Sequence, residues 1–392
     1  MDDEDHFNLA YTSSFTPEQH SNSLTSGNYQ ASNVDKYVET RMHNVTLQYH
    51  SGSGFDVGGD YTHYTSDNNQ TLFADYADGA QSGFSIIGGQ KIDRYSIYVD
   101  RKRSLAKEWD LGYGMSYRFA KDRDFQTYDK VTGDIPTENT DSRLREQTAN
   151  VYVSLSKNYA TGTSVSISAT GEYYTIGNYR KWAVYPQASL TYVKSSEHLF
   201  QFSLSTDKTY PGYWDMQSSV SHLNGYTELW GLNPSTAYNL NGNYIWKQKY
   251  IFGLFFMHTS DFFVQTGYQS TDRLALIYKN TNWNYMQMWG TNVILPFKAG
   301  NWLDSRLTLV GMQVHFFDIP FNRRKWMFNS SLDNTFKVGK NLAFELIGSI
   351  QTPMIQGTFD IETVYNLTAG LKWSFASDRI NLSARCSDLF NS

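Results

Sequence analysis

The chain has 392 residues and a net charge of -5, which leaves no basic field for gathering nucleic acid. Hydrophobic residues make up only 40 %, yet aromatics reach 16 %, with 29 Tyr, 24 Phe and 10 Trp; this excludes a core built mainly of Leu, Ile and Val and suits strands with one wet face. The longest apolar runs, such as Ile251 to Met257, are far short of the roughly 18 residues a spanning helix needs, which excludes helical insertion and leaves barrels open.

Met1 is followed by Asp2, Asp3, Glu4 and Asp5, the opposite of a signal peptide's cationic then apolar start. The expectation is a chain without its export signal, with the acidic residues and His6 forming a solvated end. Gly52-Ser53-Gly54 reads as a turn between two strand patterns, since no helix follows it. From Trp109, the residues Trp109, Leu111, Tyr113, Met115, Tyr117 and Phe119 share one parity, with Asp110, Gly112, Gly114, Ser116 and Arg118 between them. That is a strand with one apolar and one polar face. The pattern returns at Val151, Val153, Leu155, at Val165, Ile167, Ala169, at Phe200, Phe202, Leu204, and at Tyr250, Phe252, Leu254, Phe256. It recurs at Trp326, Phe328, Leu332, at Tyr365, Leu367, Leu371, Trp373, Phe375, and at Ile380, Leu382, Ala384, Cys386. No segment sustains a helical period, so helix content is expected near nil, and the single Cys386 has no partner for a disulfide.

Connections alternate in length. Short ones are expected at Asn158 to Gly162, Lys194 to His198, Lys247 to Lys249, Lys298 to Asn301, Val338 to Asn341 and Ser377 to Arg379. Long polar ones are expected at Lys121 to Glu146, Tyr210 to Ser235, Asp318 to Arg324 and Thr352 to Glu362. Transmembrane barrels have tight periplasmic turns and long outer loops. A soluble sandwich is the alternative, but its strands average about 5 to 6 residues, whereas these reach the roughly 9 to 11 that cross a bilayer. Trp109, Trp246, Trp302, Trp326 and Trp373 fall near strand ends, as interfacial girdles require. The fold class read here is all-β, a transmembrane antiparallel up-and-down β-barrel of about 17 strands. An odd count puts the two chain ends on opposite sides of the membrane, so the expectation is one partial barrel over residues 1–392 with strands missing.

No catalytic constellation stands out: the nine His fall singly, and there is no His-Glu-x-x-His, Gly-x-Ser-x-Gly or phosphate-cradling Gly-x-x-x-x-Gly-Lys. The expectation is a non-enzyme with no cofactor and no metal. The candidate ligand surfaces are the outer loops. Tyr213, Trp214, Tyr226 and Trp230 offer rigid aromatic area for a glycan or ring-shaped ligand, or else pack the rim. Arg323 and Arg324, with Lys325, offer charge to surface polysaccharide phosphates, or else are solvated.

Several motifs, in order, resemble the outer-membrane β-barrel domain of Bacteroidetes TonB-dependent receptors. Tyr185-Pro186-Gln187-Ala188-Ser189-Leu190, Phe202-Ser203-Leu204-Ser205, Tyr210-Pro211-Gly212-Tyr213-Trp214 and Gly231-Leu232-Asn233-Pro234 follow the family's Pro-Ser-Leu strand, its strand ending in Arg-Pro, and its Gly-Asn-Pro box. Tyr210 stands where the family usually has Arg, and Leu232 splits the box. Asn280, Leu295-Pro296-Phe297 and Asn301-Trp302 resemble the family's Asn and its Pro-then-Trp turn; Gly59-Asp60-Tyr61-Thr62 resembles its Asp-Tyr strand, and Asp388-Leu389-Phe390-Asn391 the Asp-Ile-Phe-Asn near its end. The resemblance runs from about Asn44 onward. It implies a 22-stranded barrel of the outer membrane, of which about four opening strands and one closing strand, the plug and the signal peptide would lie outside this chain. It further implies uptake of a small-molecule, glycan or peptide ligand, with outer-membrane lipid around the wall and the TonB complex engaged through the absent segments. A passive porin or structural barrel is the alternative, and a soluble all-β binding protein a third.

Overall fold

The computed structural model describes residues 5–25, 29–76, 79–133, 139–213, 226–228, 232–269, 276–319, 321–339, 341–375 and 380–389. The alternating segments become β1 (His6–Thr25), β2 (Tyr29–Ser51), β3 (Phe55–Tyr76), β4 (Gln81–Ser104), β5 (Trp109–Thr132), β6 (Thr140–Asn158), β7 (Ser164–Ile176), β8 (Tyr179–Ser195) and β9 (His198–Thr209). A three-residue β10 (Tyr226–Glu228) precedes β11 (Ser235–Trp246), β12 (Tyr250–Gln269), β13 (Leu276–Ala299), β14 (Leu303–Phe317), β15 (Asn322–Val338) and β16 (Leu342–Gln351). A small hairpin of β17 (Met354–Gln356) and β18 (Phe359–Ile361) leads to β19 (Val364–Phe375) and β20 (Ile380–Cys386). The long strands pair antiparallel in chain order, β9 passing directly to β11 and β16 to β19. Seventeen long strands therefore make one continuous wall, as the alternation anticipates, and the described residues include only one helical turn, the 3-10 segment Ala106–Glu108.

The wall is inverted relative to a water-soluble protein. Large apolar side chains cover its outer face, among them Trp182 at 78 % exposure, Leu254 at 70 % and Val151 at 66 %. The buried positions hold Gln90, Asp122, Asp124, Gln126, Glu146, Thr148 and Glu172 instead. An apolar surface on this scale is stable only against lipid. In β5 the apolar parity of Trp109 to Phe119 faces outward, and the outward positions beyond it are Lys121 and Arg123. The lipid-facing span is thus eleven residues, the length a tilted strand needs to cross.

The long connection expected from Lys121 to Glu146 is corrected by the structure. β5 and β6 stay in register from Trp109↔Lys157 to Gln126↔Thr140, and only residues 133–139 link them. Period two persists above the membrane, but charge replaces apolar residues on the outward parity. The part of β5 beyond Phe119 rises roughly 30 Å above the lipid, at about 3.3 Å per residue and a 45° tilt. β7 and β8 are joined by Gly177-Asn178 alone, where Gly177 takes a φ of 55° that favours a residue without a Cβ. At the opposite rim the turns are short throughout, with residues 196–197, 247–249 and 300–302 among them.

Arg323 and Arg324 lie in the first turnless residues of β15 rather than in the loop before it. The sheet pairing begins at Phe317↔Asn322, so the connection they were assigned to is only residues 318–321. Above β14 and β15 the β17–β18 hairpin packs Ile355 onto Trp283, Val314 and Phe316, a small buried apolar cluster.

Candidate functional site

Alternation sends the even-numbered residues of β3 to β7 into the lumen. Near the long-loop rim these converge on a buried network. Lys208 makes an ion pair with Glu172, the two side chains being 7 % and 5 % exposed. The Lys208 ammonium also lies 4.3 Å from the ring centroid of Tyr174 and 4.6 Å from that of Tyr210, a cation held between aromatic faces. The Tyr210 hydroxyl donates to Glu172, and the Tyr185 hydroxyl donates to the same carboxylate at 3.4 Å. Alongside, the Arg118 guanidinium donates to Glu146 at 3.1 Å and sits 5.0 Å over the Tyr210 ring. The Tyr213 hydroxyl donates to Glu146. Burial, followed by the Glu146 carboxylate, pushes the Tyr213 hydroxyl pKa up, so it remains a neutral donor.

A break in the ladder allows Lys208 to reach Glu172. β8 pairs with β7 along Tyr179↔Ile176 to Thr191↔Ser164, but its pairing with β9 ends at Ala188↔Leu204. Beyond that point β9 keeps β11, through Thr209↔Ser235, and among the described residues the outer half of β8 has no ladder on its second edge. Pro186 lies in this stretch, and its carbonyl accepts from the Thr206 hydroxyl at 2.7 Å. Side chains bridge the seam where backbone does not.

Below the network the lumen wall holds a hollow of about 310 Å³ lined by Asp60, Arg94, Ser96, Arg118, Asn150 and Tyr210, among others. Gly58 lets the Tyr98 ring lie flat on this wall, since a Cβ there would stand 2.5 Å from the ring. Among the described residues, Oδ2 of Asp60, Nε of Arg118, Oδ1 of Asn150 and the Tyr174 hydroxyl are buried without a hydrogen-bond partner. Such groups call for water or a polar ligand. Donors and acceptors stand side by side, which suits a hydroxyl- or carboxyl-bearing molecule.

The aromatic candidates are not brought together as one surface. Tyr213 is committed to Glu146; Tyr226 begins β10, which pairs parallel with Ile277 to Lys279 of β13; Trp214 and Trp230 lie outside the described residues. Arg323 bonds the Thr358 carbonyl at 2.9 Å and Asp360 at 2.5 Å, while Arg324 donates to His315 at 3.4 Å. The motif residues have structural work. Pro211 and Pro234 are buried. Asn282 accepts from the Asn233 amide at 2.8 Å and donates to the Asn233 carbonyl at 2.9 Å, stapling the loop before β11. Pro296 pairs with Arg306 in β13–β14, and Trp302 at the next turn stacks on Phe336. Asp388 takes a φ of 55° just after β20; Gly231 and Phe390 lie outside the described residues. Tyr210, where the resemblance expects an arginine, still reaches Glu172, through a hydroxyl.

An antiparallel wall of this height, apolar outside and polar within, is an outer-membrane β-barrel wall. The chain belongs to the outer membrane protein beta-barrel family, whose profile matches residues 50–392, and its place is the outer membrane. No curated protein sequence matches it. Among solved structures it is similar to the siderophore receptor PirA from Pseudomonas aeruginosa, at 10 % identity and a TM-score of 0.52, covering 100 % of this chain and 75 % of that one. The copper transporter OprC gives 9 % identity and a TM-score of 0.56, covering 98 % and 74 %. The ferric yersiniabactin uptake receptor FyuA from Yersinia pestis gives 12 % and 0.52, covering 99 % and 74 %. At such identities the likeness is one of fold alone.

Proposed function

We propose that this chain forms the wall of a TonB-dependent-type receptor that takes up a scarce polar nutrient across the outer membrane. The reading is carried by one observation: the wall that superposes on siderophore and copper receptors points buried, unpartnered polar groups into its own lumen. The motif order from Tyr185 to Pro234 supports a Bacteroidetes member of the class. Ligand meets the long-loop rim first, where Tyr213, Trp214, Tyr226 and Trp230 belong to one loop region and Arg323 and Arg324 to another. It then passes to the Asp60, Arg118 and Asn150 hollow. Coupling to the inner-membrane complex belongs to segments other than this wall.

Two measurements on protein reconstituted in liposomes test this. Titration with a ferric siderophore, a copper salt, cobalamin and a maltodextrin is expected to give saturable binding of one of the four, weakened at least tenfold in Arg118→Gln. Swelling that is graded by solute size, with no saturable binding of any probe, would replace the receptor by a passive porin.

A further inference from the structure

The outward face of β4, β5 and β6 carries a second feature, unrelated to the lumen. The lipid-facing belt ends in an aromatic row, in which Tyr95 stacks on Tyr61 at 4.8 Å and on Phe119 at 6.4 Å. Immediately above, the register sets two rows across the three strands. Asp93 pairs with Lys121, which pairs with Arg145; one step higher, Lys91 pairs with Arg123, which pairs with Arg143. All are odd-numbered and share the outward parity of Tyr95 and Phe119.

Five cations thus meet two carboxylates. Asp141 takes Arg123 at 3.0 and 3.1 Å and Arg143 at 3.1 Å. Asp93 takes His63 at 2.8 Å and the Tyr61 hydroxyl at 2.7 Å. Among the described residues, Lys91, Lys121 and Arg145 have no carboxylate within ion-pair distance. Like charges face each other directly in Arg123↔Arg143, where Asp141 bridges them, and in Lys121↔Arg145, where no described carboxylate is within ion-pair distance, an arrangement that destabilises an antiparallel pair unless an anion lies between them. It persists in a chain whose net charge is -5. The five border an open hollow of about 650 Å³, which Asp93 and the buried Asp122 also line and whose far side is the tight Gly177-Asn178 turn.

We propose that this hollow binds the phosphate-bearing headgroup of a lipid in the outer leaflet. Position selects the occupant. The cations face away from the lumen, so a transported solute does not pass them, and they sit one residue pair above the aromatic row that marks the headgroup level. Acyl chains would lie on Tyr95, Ile97, Met115 and Tyr117, and phosphate oxygens would accept from Lys121, Arg145 and Lys91. Two rows about 7 Å apart along the strand accommodate more than one phosphate group.

The test uses the whole protein in detergent micelles doped with either phosphatidic acid or phosphatidylcholine, with retained lipid counted by native mass spectrometry. Wild type is expected to retain phosphatidic acid at least tenfold over phosphatidylcholine. Lys121→Ser/Arg145→Ser is expected to abolish that preference, while Lys194→Ser/Lys247→Ser, which removes two charges at the opposite rim, is expected to keep it. Lys91→Gln/Lys121→Gln, which spares every arginine, gives an independent reading should the first variant fail to fold. Equal retention of the two lipids by wild type, or an unchanged preference in both hollow variants, would overturn the proposal. Displacement of phosphatidic acid by equimolar inorganic pyrophosphate would overturn it too, making the hollow a site for free phosphates rather than lipid.

Discussion

Replacing Lys208 with Met isolates what the lumenal ion pair contributes. Methionine keeps the length of the stem and its contacts with the Tyr174 and Tyr210 rings, but removes the charge facing Glu172, whose side chain is 5 % exposed. A buried carboxylate that loses its cation costs about 3–5 kcal/mol. Here Glu172 keeps donors from the Tyr210 and Tyr185 hydroxyls, which places the loss at the lower end, about 3 kcal/mol. Because the pair bridges the seam between β8 and β9 rather than the whole wall, the loss is local. Hydrogen exchange of the amides from Thr206 to Tyr210 in proteoliposomes is expected to speed up about 100-fold, at about 1.4 kcal/mol per tenfold, with the β5–β6 ladder unchanged. Adding Glu172→Gln removes the stranded charge and is expected to recover most of the protection. The argument fails if Lys208→Met exchanges like wild type, or if the double variant is the worse of the two.

Leu254→Arg is expected to destabilise the folded state by about 2–4 kcal/mol, read from unfolding in lipid vesicles, because this 70 %-exposed side chain faces hydrocarbon; in a water-soluble sheet the change would be near neutral. Asn282→Ala removes the amide that holds both polar groups of the Asn233 backbone, and a loss of about 2 kcal/mol should raise exchange at the Asn233 amide some 30-fold. The Arg323 hydrogen bond, aided by the charges of Arg323 and Lys325, holds the Asp360 carboxyl below its ordinary range. A depressed carboxylate stabilises above its unfolded pKa and stops doing so as pH falls through the folded value, so protease nicking within 354–361 should be low at neutral pH, rise below about pH 4, and lose that pH dependence in Asp360→Asn.

The wall was legible because a pleated strand writes its two environments on alternate residues. Trp109 to Phe119 against Asp110 to Arg118 states the lipid side and the wet side without reference to any other strand. That signal fades once a strand leaves the membrane. Lys121 and Arg123 look like loop residues because their outward face meets water and headgroups, yet the ladder with Arg145 and Arg143 continues unbroken. The lumenal network was hidden for a different reason. Glu172 and Lys208 are 36 positions apart and meet only because the β8–β9 ladder stops at Ala188↔Leu204, a break that no local pattern records. Motif reading found Asn233 and Pro234, but no motif pointed to Asn282, which makes the staple. Aromatic content singled out Tyr213 as a ligand candidate but could not reveal that its hydroxyl is engaged by Glu146.

The ladder that ends at Ala188↔Leu204 gives the wall a line along which it can part. Along β3 to β7, by contrast, widening the mouth means tearing main-chain hydrogen bonds one rung after another. Between the outer halves of β8 and β9 the described contacts are made by side chains, the Lys208–Glu172 pair and the Thr206 bond to the Pro186 carbonyl among them, and each can find water as it lets go. A wall with such a slit can widen its rim around a bulky guest, while the strands below Ala188↔Leu204 stay joined rung by rung.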